Sequence, residues 1–96
     1  MIQVTSIVEE DILGKIDTES VKKELNALKH KEADTSFVFI CTKDNDWKQE
    51  SWSKNKKRYH SINLPYEEVK KMDERSVVSL MLKLALEKLS QFPVSR

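Results

Sequence analysis

Between Asp73 and Pro93 the chain carries Val77, Val78, Leu80, Met81, Leu82, Leu84, Ala85, Leu86, Leu89 and Phe92, while Ser79, Lys83, Glu87 and Ser90 fall on one narrow polar stripe. A helix that is apolar around most of its circumference must be covered by more than one neighbour. This segment, about residues 74–91, is therefore expected to be the core of the fold or part of a subunit interface. Asp73 stands at its N-cap, Met72 and Val77 occupy the two positions of a hydrophobic staple, and Pro93 ends it. Leu82 and Leu89 are expected to be buried, and the narrowness of the polar stripe predicts a homodimer through this C-terminal helix.

What can cover such a helix is limited by a chain of 96 residues, which makes one domain, residues 1–96, with one modest core. A second helix is expected over about residues 18–33, with Asp17 as N-cap, Ile16 and Val21 as staple, and Val21, Leu25 and Leu28 as its apolar stripe. Thr35 to Thr42 is β-branched and aromatic and apolar on both alternating faces, the pattern of a central strand. Further strands are expected at about residues 47–52 and 59–64, followed by a short helical turn after Pro65. The first segment reads two ways. Ile2, Val4 and Ser6 alternate like a strand, whereas Ser6 and Glu9 resemble a capping box and Ile7, Val8, Ile12 and Leu13 fit a helix that Gly14 ends. The helix, about residues 7–13, is the favoured reading. The expected fold is α+β, with a small antiparallel sheet of two or three strands packed against helices.

The residue types that carry chemistry are sparse. With one cysteine, Cys41, no internal disulfide can form, which points to a reducing, cytoplasmic compartment. The opening Met1-Ile2-Gln3-Val4 does not read as a signal peptide, and the longest apolar stretch is broken by Ser79 and Lys83, so no membrane association is expected. Cys41 belongs to an apolar strand and reads as a small core residue. His30 and His60 read as surface groups, and together with a lone Cys they make no zinc site. Asp44-Asn45-Asp46 starts like a calcium loop, but the later ligand positions hold Lys48, Gln49 and Asn55. Glu9/Glu10 and Glu67/Glu68 read as solvated helix charges. No enzyme, cofactor or metal is expected.

The informative stretch runs from Lys43 to Arg58, since it holds both tryptophans of the chain, Trp47 and Trp52. Tryptophan is enriched at binding hot spots. Five positions apart on a regular strand, the two would point to opposite faces, one to the core and one to the surface. Lys54, Lys56, Lys57 and Arg58 form a basic run beside Tyr59 and His60, a basic-plus-aromatic pattern that suits single-stranded nucleic acid; Asp44, Asp46 and Glu50 suit a cationic partner. These residues, Asp44, Asp46, Trp47, Glu50, Trp52, Lys54, Lys56, Lys57 and Arg58, form the candidate partner-binding surface. A net charge of only +1 argues against a surface that is basic throughout.

The layout of a helical N-terminal half, then Phe37-Val38-Phe39-Ile40, then Tyr59 to Val69 and the closing helix, resembles the small immunity proteins of bacterial contact-dependent growth-inhibition and polymorphic-toxin systems. The resemblance implies a cognate toxin, often a nuclease, neutralised by occlusion of its active site or substrate path. Inhibitors of basic nucleases are commonly acidic, and this near-neutral chain departs from that pattern.

Overall fold

The computed structural model describes residues 1–28, 34–44 and 50–91. It is an α+β fold built on a four-stranded mixed sheet. In chain order the elements are β1 (Ile2–Val8), a 3-10 turn (Glu10–Lys15), α1 (Thr18–Leu28), β2 (Thr35–Cys41), β3 (Glu50–Lys54), β4 (Lys57–Asn63), α2 (Tyr66–Lys71) and α3 (Glu74–Gln91). The strand order is β1-β2-β4-β3. β1 runs parallel to β2 and β2 parallel to β4, while β3 and β4 form an antiparallel hairpin.

Two expectations are corrected here. The sheet is mixed rather than antiparallel, and in place of a helix at residues 7–13 the chain forms a strand, Ile2–Val8, followed by a 3-10 turn, Glu10–Lys15. The local signals for that helix are overridden by long-range partners: Ile2 to Val8 pair residue for residue with Thr35 to Cys41, a ladder no local pattern announces. Glu9 makes no capping box; its Oε2 accepts the Lys43 N–H at 2.9 Å, and its own N–H donates to the Cys41 carbonyl at 3.0 Å. Gly14 lies inside the 3-10 turn instead of ending a helix. The turn is tied to α2 by Lys15, whose Nζ donates to the Lys70 carbonyl at 2.7 Å, and by the Tyr66 hydroxyl, which donates to the Asp11 carboxylate.

The caps read from the sequence are present. Asp17 accepts the Ser20 N–H at 3.0 Å and the Ser20 hydroxyl at 2.7 Å, with Ile16 and Val21 both buried. Asp73 accepts the Ser76 N–H at 2.8 Å ahead of the buried Val77. These hydrogen bonds to Ser20 and Ser76 hold both carboxyls below the usual carboxylate range. The expected helix at 74–91 is α3. Of the one expected at 18–33, α1 accounts for Thr18–Leu28, and residues 29–33 lie outside the described residues, as do Phe92 and Pro93. The strand expected at 59–64 is β4, displaced towards the hairpin; that at 47–52 is β3, beginning at Glu50, with 45–49 outside the described residues.

One face of the sheet builds the core. Ile2 and Val4 of β1, Phe37, Phe39 and Cys41 of β2, and His60 and Ile62 of β4 are buried together with Val21 and Leu25 of α1 and the α3 row Val77, Met81, Ala85 and Leu89. That row repeats every four residues, so Leu89 is buried as expected. Leu82 belongs to a flanking row with Val78 and Leu86 and is only half-buried. His60, expected at the surface, is fully buried: its place on β4 is two residues before Ile62 on the inward face, and its ring stacks on Phe37 at 4.9 Å.

At the β1 edge, Asn26 of α1 replaces a missing strand. Its side chain accepts the Ile2 N–H at 2.9 Å and donates to the Ile2 carbonyl at 3.1 Å.

At the other end of the sheet, β3 turns into β4 through Asn55 and Lys56, both with positive φ, 53° and 66°. A two-residue hairpin loop of this kind is the type I′ turn, which matches strand twist and favours Asn-Gly. Asn55 fits it, whereas Lys56 holds a left-handed conformation that a side chain disfavours by about 1–2 kcal/mol. Replacing Lys56 with glycine removes that strain and restores some unfolded-state freedom in its place, so the net expected gain is about 0.5–1 kcal/mol in urea unfolding. A loss of stability would place the lysine side chain among the contacts that hold the hairpin together.

Candidate functional site

The second face of the sheet follows from the same alternation. Gln3, Ser36, Tyr59 and Trp52 stand in one row across the four strands, Thr5, Val38, Ser61 and Glu50 in the next, and Ile7, Ile40 and Asn63 in the third. Gln3, Thr5, Ile7, Glu50 and Trp52 on the outer strands are exposed, Asn63 is half-buried, and Ile40 and Ser61 on the inner strands are buried.

Trp52 is the focus of this face. It is 44% exposed, at the middle of the outermost strand. Its indole lies on the ring of Tyr59, with centroids 5.2 Å apart and planes 11° from parallel. Directly opposed residues on paired strands meet in this way. The stack holds a large, partly wet aromatic surface in one orientation, so little side-chain freedom remains to be lost on contact with a partner. Glu50 and Lys54 flank Trp52 on the same face of β3, and Lys57 opposes Lys54 across the turn. Lys54, Lys56 and Lys57 are all exposed, making the turn end of the hairpin cationic.

The remaining candidate residues are placed differently. Arg58 points away from this face, because it lies one residue from Tyr59 on the strand; it is half-buried, and its N–H donates to the Asp34 carbonyl at 2.9 Å. Asp44 accepts the Thr42 hydroxyl at 2.9 Å within its own turn, beyond the end of β2. Asp46 and Trp47 lie outside the described residues, as does His30. The structure thus gathers Glu50, Trp52, Lys54, Lys56 and Lys57 on one hairpin and leaves Asp44 and Arg58 to structural contacts. It adds Tyr59, Ser36 and Gln3, which the sequence reading left out of the candidate surface. Tyr59 was within reach of that reading, since it alternates with Ser61 and Asn63. The row of Gln3 and Ser36 depends on strand order and has no local signal.

Two further groups have chemistry that their surroundings suppress. Burial, with smaller contributions from Asp11 and Glu9, pushes the Cys41 thiol up to about 11, so it stays protonated at neutral pH. Burial also lowers His60 to about 4, helped by Lys88 and Arg58, and Nδ1 lies 2.9 Å from the Ser51 hydroxyl. Among the described residues no group of His, Cys, Asp and Glu side chains is arranged to hold a metal ion, and no described helix is long and apolar enough to cross a membrane. Compared with family models, with curated proteins and with solved structures, the chain matches none.

Proposed function

We propose that this chain is a non-enzymatic binding protein of the immunity type, which neutralises a cognate protein toxin by laying the open face of the β3–β4 hairpin over the toxin's active site or substrate path. The observation that supports this reading is the Trp52–Tyr59 stack, a rigid and half-exposed aromatic pair on an edge hairpin. A tryptophan of this kind fills a partner pocket and dominates the binding energy, while Glu50, Lys54, Lys56 and Lys57 around it steer association. The partner is sought in the product of the neighbouring open reading frame, or by pull-down from the native host. With the partner in hand, Trp52→Ala is expected to weaken the complex by at least about 2 kcal/mol, roughly 30-fold, with only a small change in folding stability. The Lys54/Lys56/Lys57 triple alanine variant is expected to slow association and flatten its salt dependence. Unchanged affinity in both variants rejects the hairpin as the binding surface.

The same stack beside three exposed lysines supports a second reading, a single-stranded nucleic-acid platform. Phosphate contacts would then weaken binding by roughly 0.7 log units of affinity per tenfold salt for each contact on a single strand. Titration with an oligonucleotide at two salt concentrations separates the readings.

A further inference from the structure

The two edges of the sheet are treated differently. At β1, Asn26 answers both backbone groups of Ile2. Among the described residues, β3 has no such cover. Its two-residue turn makes Lys54 and Lys57 a hydrogen-bonded pair, and alternation along the ladder assigns Trp52–Tyr59 the same pattern. The backbone N–H and C=O of Ser51 and Ser53 therefore point outward, and among the described residues no hydrogen bond from outside the hairpin reaches them. All five residues of β3 are exposed, with no proline or bulge to protect the edge.

What fits this edge is shown by its own sequence. Glu50-Ser51-Trp52-Ser53-Lys54 reads as the complement of its own reverse. We propose that two copies of the chain join their β3 edges, antiparallel, about a two-fold axis at Trp52, to make one continuous sheet. Ser51 then faces Ser53 of the second copy, and the outward groups of both serines are used in hydrogen-bonded pairs. Glu50 faces Lys54 of the second copy twice over, in the non-hydrogen-bonded positions where side chains approach closest. Trp52 meets its own counterpart on the axis and prolongs the Trp52–Tyr59 stack across the joint on the open face. Any other alignment of the same two strands forfeits one of these matches. A one-residue slip turns the side chains to opposite faces, and a two-residue slip unpairs both Glu50–Lys54 contacts. A C2 interface of this kind is isologous and closes on itself, which leaves no free β3 edge for further growth. The pairing shares Trp52, Glu50 and Lys54 with the partner reading above, so it is tested on the chain free of partner, where its failure leaves that reading standing.

The test is sedimentation equilibrium of the whole chain, free of partner, from about 1 to 300 µM, with folding followed by circular dichroism. The expected result is a reversible monomer–dimer equilibrium between 11.2 kDa and twice that mass. Ser53→Pro removes an outward N–H at an edge position that tolerates proline, and is expected to weaken the dimer at least about tenfold. Glu50→Lys and Lys54→Glu each turn two attractions into two repulsions and are expected to do the same, whereas the double exchange restores association to within a few-fold of the original chain. A chain that stays monomeric throughout overturns the proposal. So does a dimer unaffected by all three single changes, which would locate the contact on the half-buried flanks of α3 instead. Should Ser53→Pro disturb the fold, the charge exchange still decides, because its positions are exposed and its double variant keeps the composition.

Discussion

Phe37→Ala is expected to cost about 3–5 kcal/mol, a large part of the roughly 5–15 kcal/mol that keeps a small domain folded. Phe37 is fully buried on the central strand β2, with Phe39 at 6.2 Å on one side and His60 at 4.9 Å on the other. Its ring therefore spans β2 and β4 beneath the helices, and a close-packed sheet flanked by parallel neighbours has little room to collapse into the cavity left behind. Urea unfolding measures the effect. The matched control is Val38→Ala, one residue along on the opposite, half-buried face, where about 1 kcal/mol or less is expected. Equal losses at the two positions would mean that the core lies on both faces of the sheet rather than between the sheet and the helices.

Acid is expected to destabilise the fold before the carboxylates titrate, through His60. The imidazole is held neutral in the folded chain, its pKa lowered to about 4 from an ordinary 6.5 by burial and by the charges of Lys88 and Arg58. Between these values the unfolded chain binds a proton that the folded chain does not, so the stability is complete above about pH 6.5 and declines as pH falls towards 4. The loss between pH 7 and pH 4.5 is expected to be on the order of 2–3 kcal/mol. Asp17, Asp34 and Asp73 act in a lower window. Hydrogen bonds to Ser20, to the N-terminal amino group and to Ser76 respectively hold their carboxyls below the usual range, so their contributions are lost only as pH falls below the ordinary carboxylate value. Urea midpoints at the two pH values, for the original chain and for His60→Gln, separate the effects. The variant keeps His30 and every carboxylate. A slope that persists unchanged in it would assign the acid sensitivity elsewhere.

The two expectations meet at one place, since Phe37 and His60 lie beneath the strand that carries Tyr59. The ring of His60 is buried on the inner face of β4, and its neighbour Tyr59 supports Trp52 on the outer face. Core packing therefore orients the exposed stack. Variants at Phe37 and His60 are consequently poor tests of partner binding, while Trp52 and the hairpin lysines are good ones.

Features encoded over a few residues were legible in the chain itself. Asp17 and Asp73 cap their helices because the acceptor, the N–H three residues on and the staple pair are all local. The length of α3, the strand character of Phe37 to Cys41 and the inertness of Cys41 follow equally from period and composition. The exposed Trp52 and the lysines of the hairpin were named from composition, and their residue types mark a surface wherever the strand is placed. Three things depended on the tertiary structure. Segment 2–13 carried signals for both a strand and a helix, and the parallel ladder with β2, more than thirty residues away, took Ile2–Val8 into the sheet and left a 3-10 turn only from Glu10 onward. The direction and order of the strands, and hence the row that joins Gln3, Ser36, Tyr59 and Trp52, rest on a crossover through α1 that has no sequence signature of its own. The burial of His60 came from the same source: a polar residue after four basic neighbours reads as solvent-exposed, but two-residue alternation on a central strand placed it against Phe37. Local hydrogen bonds and side-chain periodicity act over one or two turns of chain, whereas pairing between distant strands is settled by which arrangement buries the most apolar surface with its backbone groups satisfied.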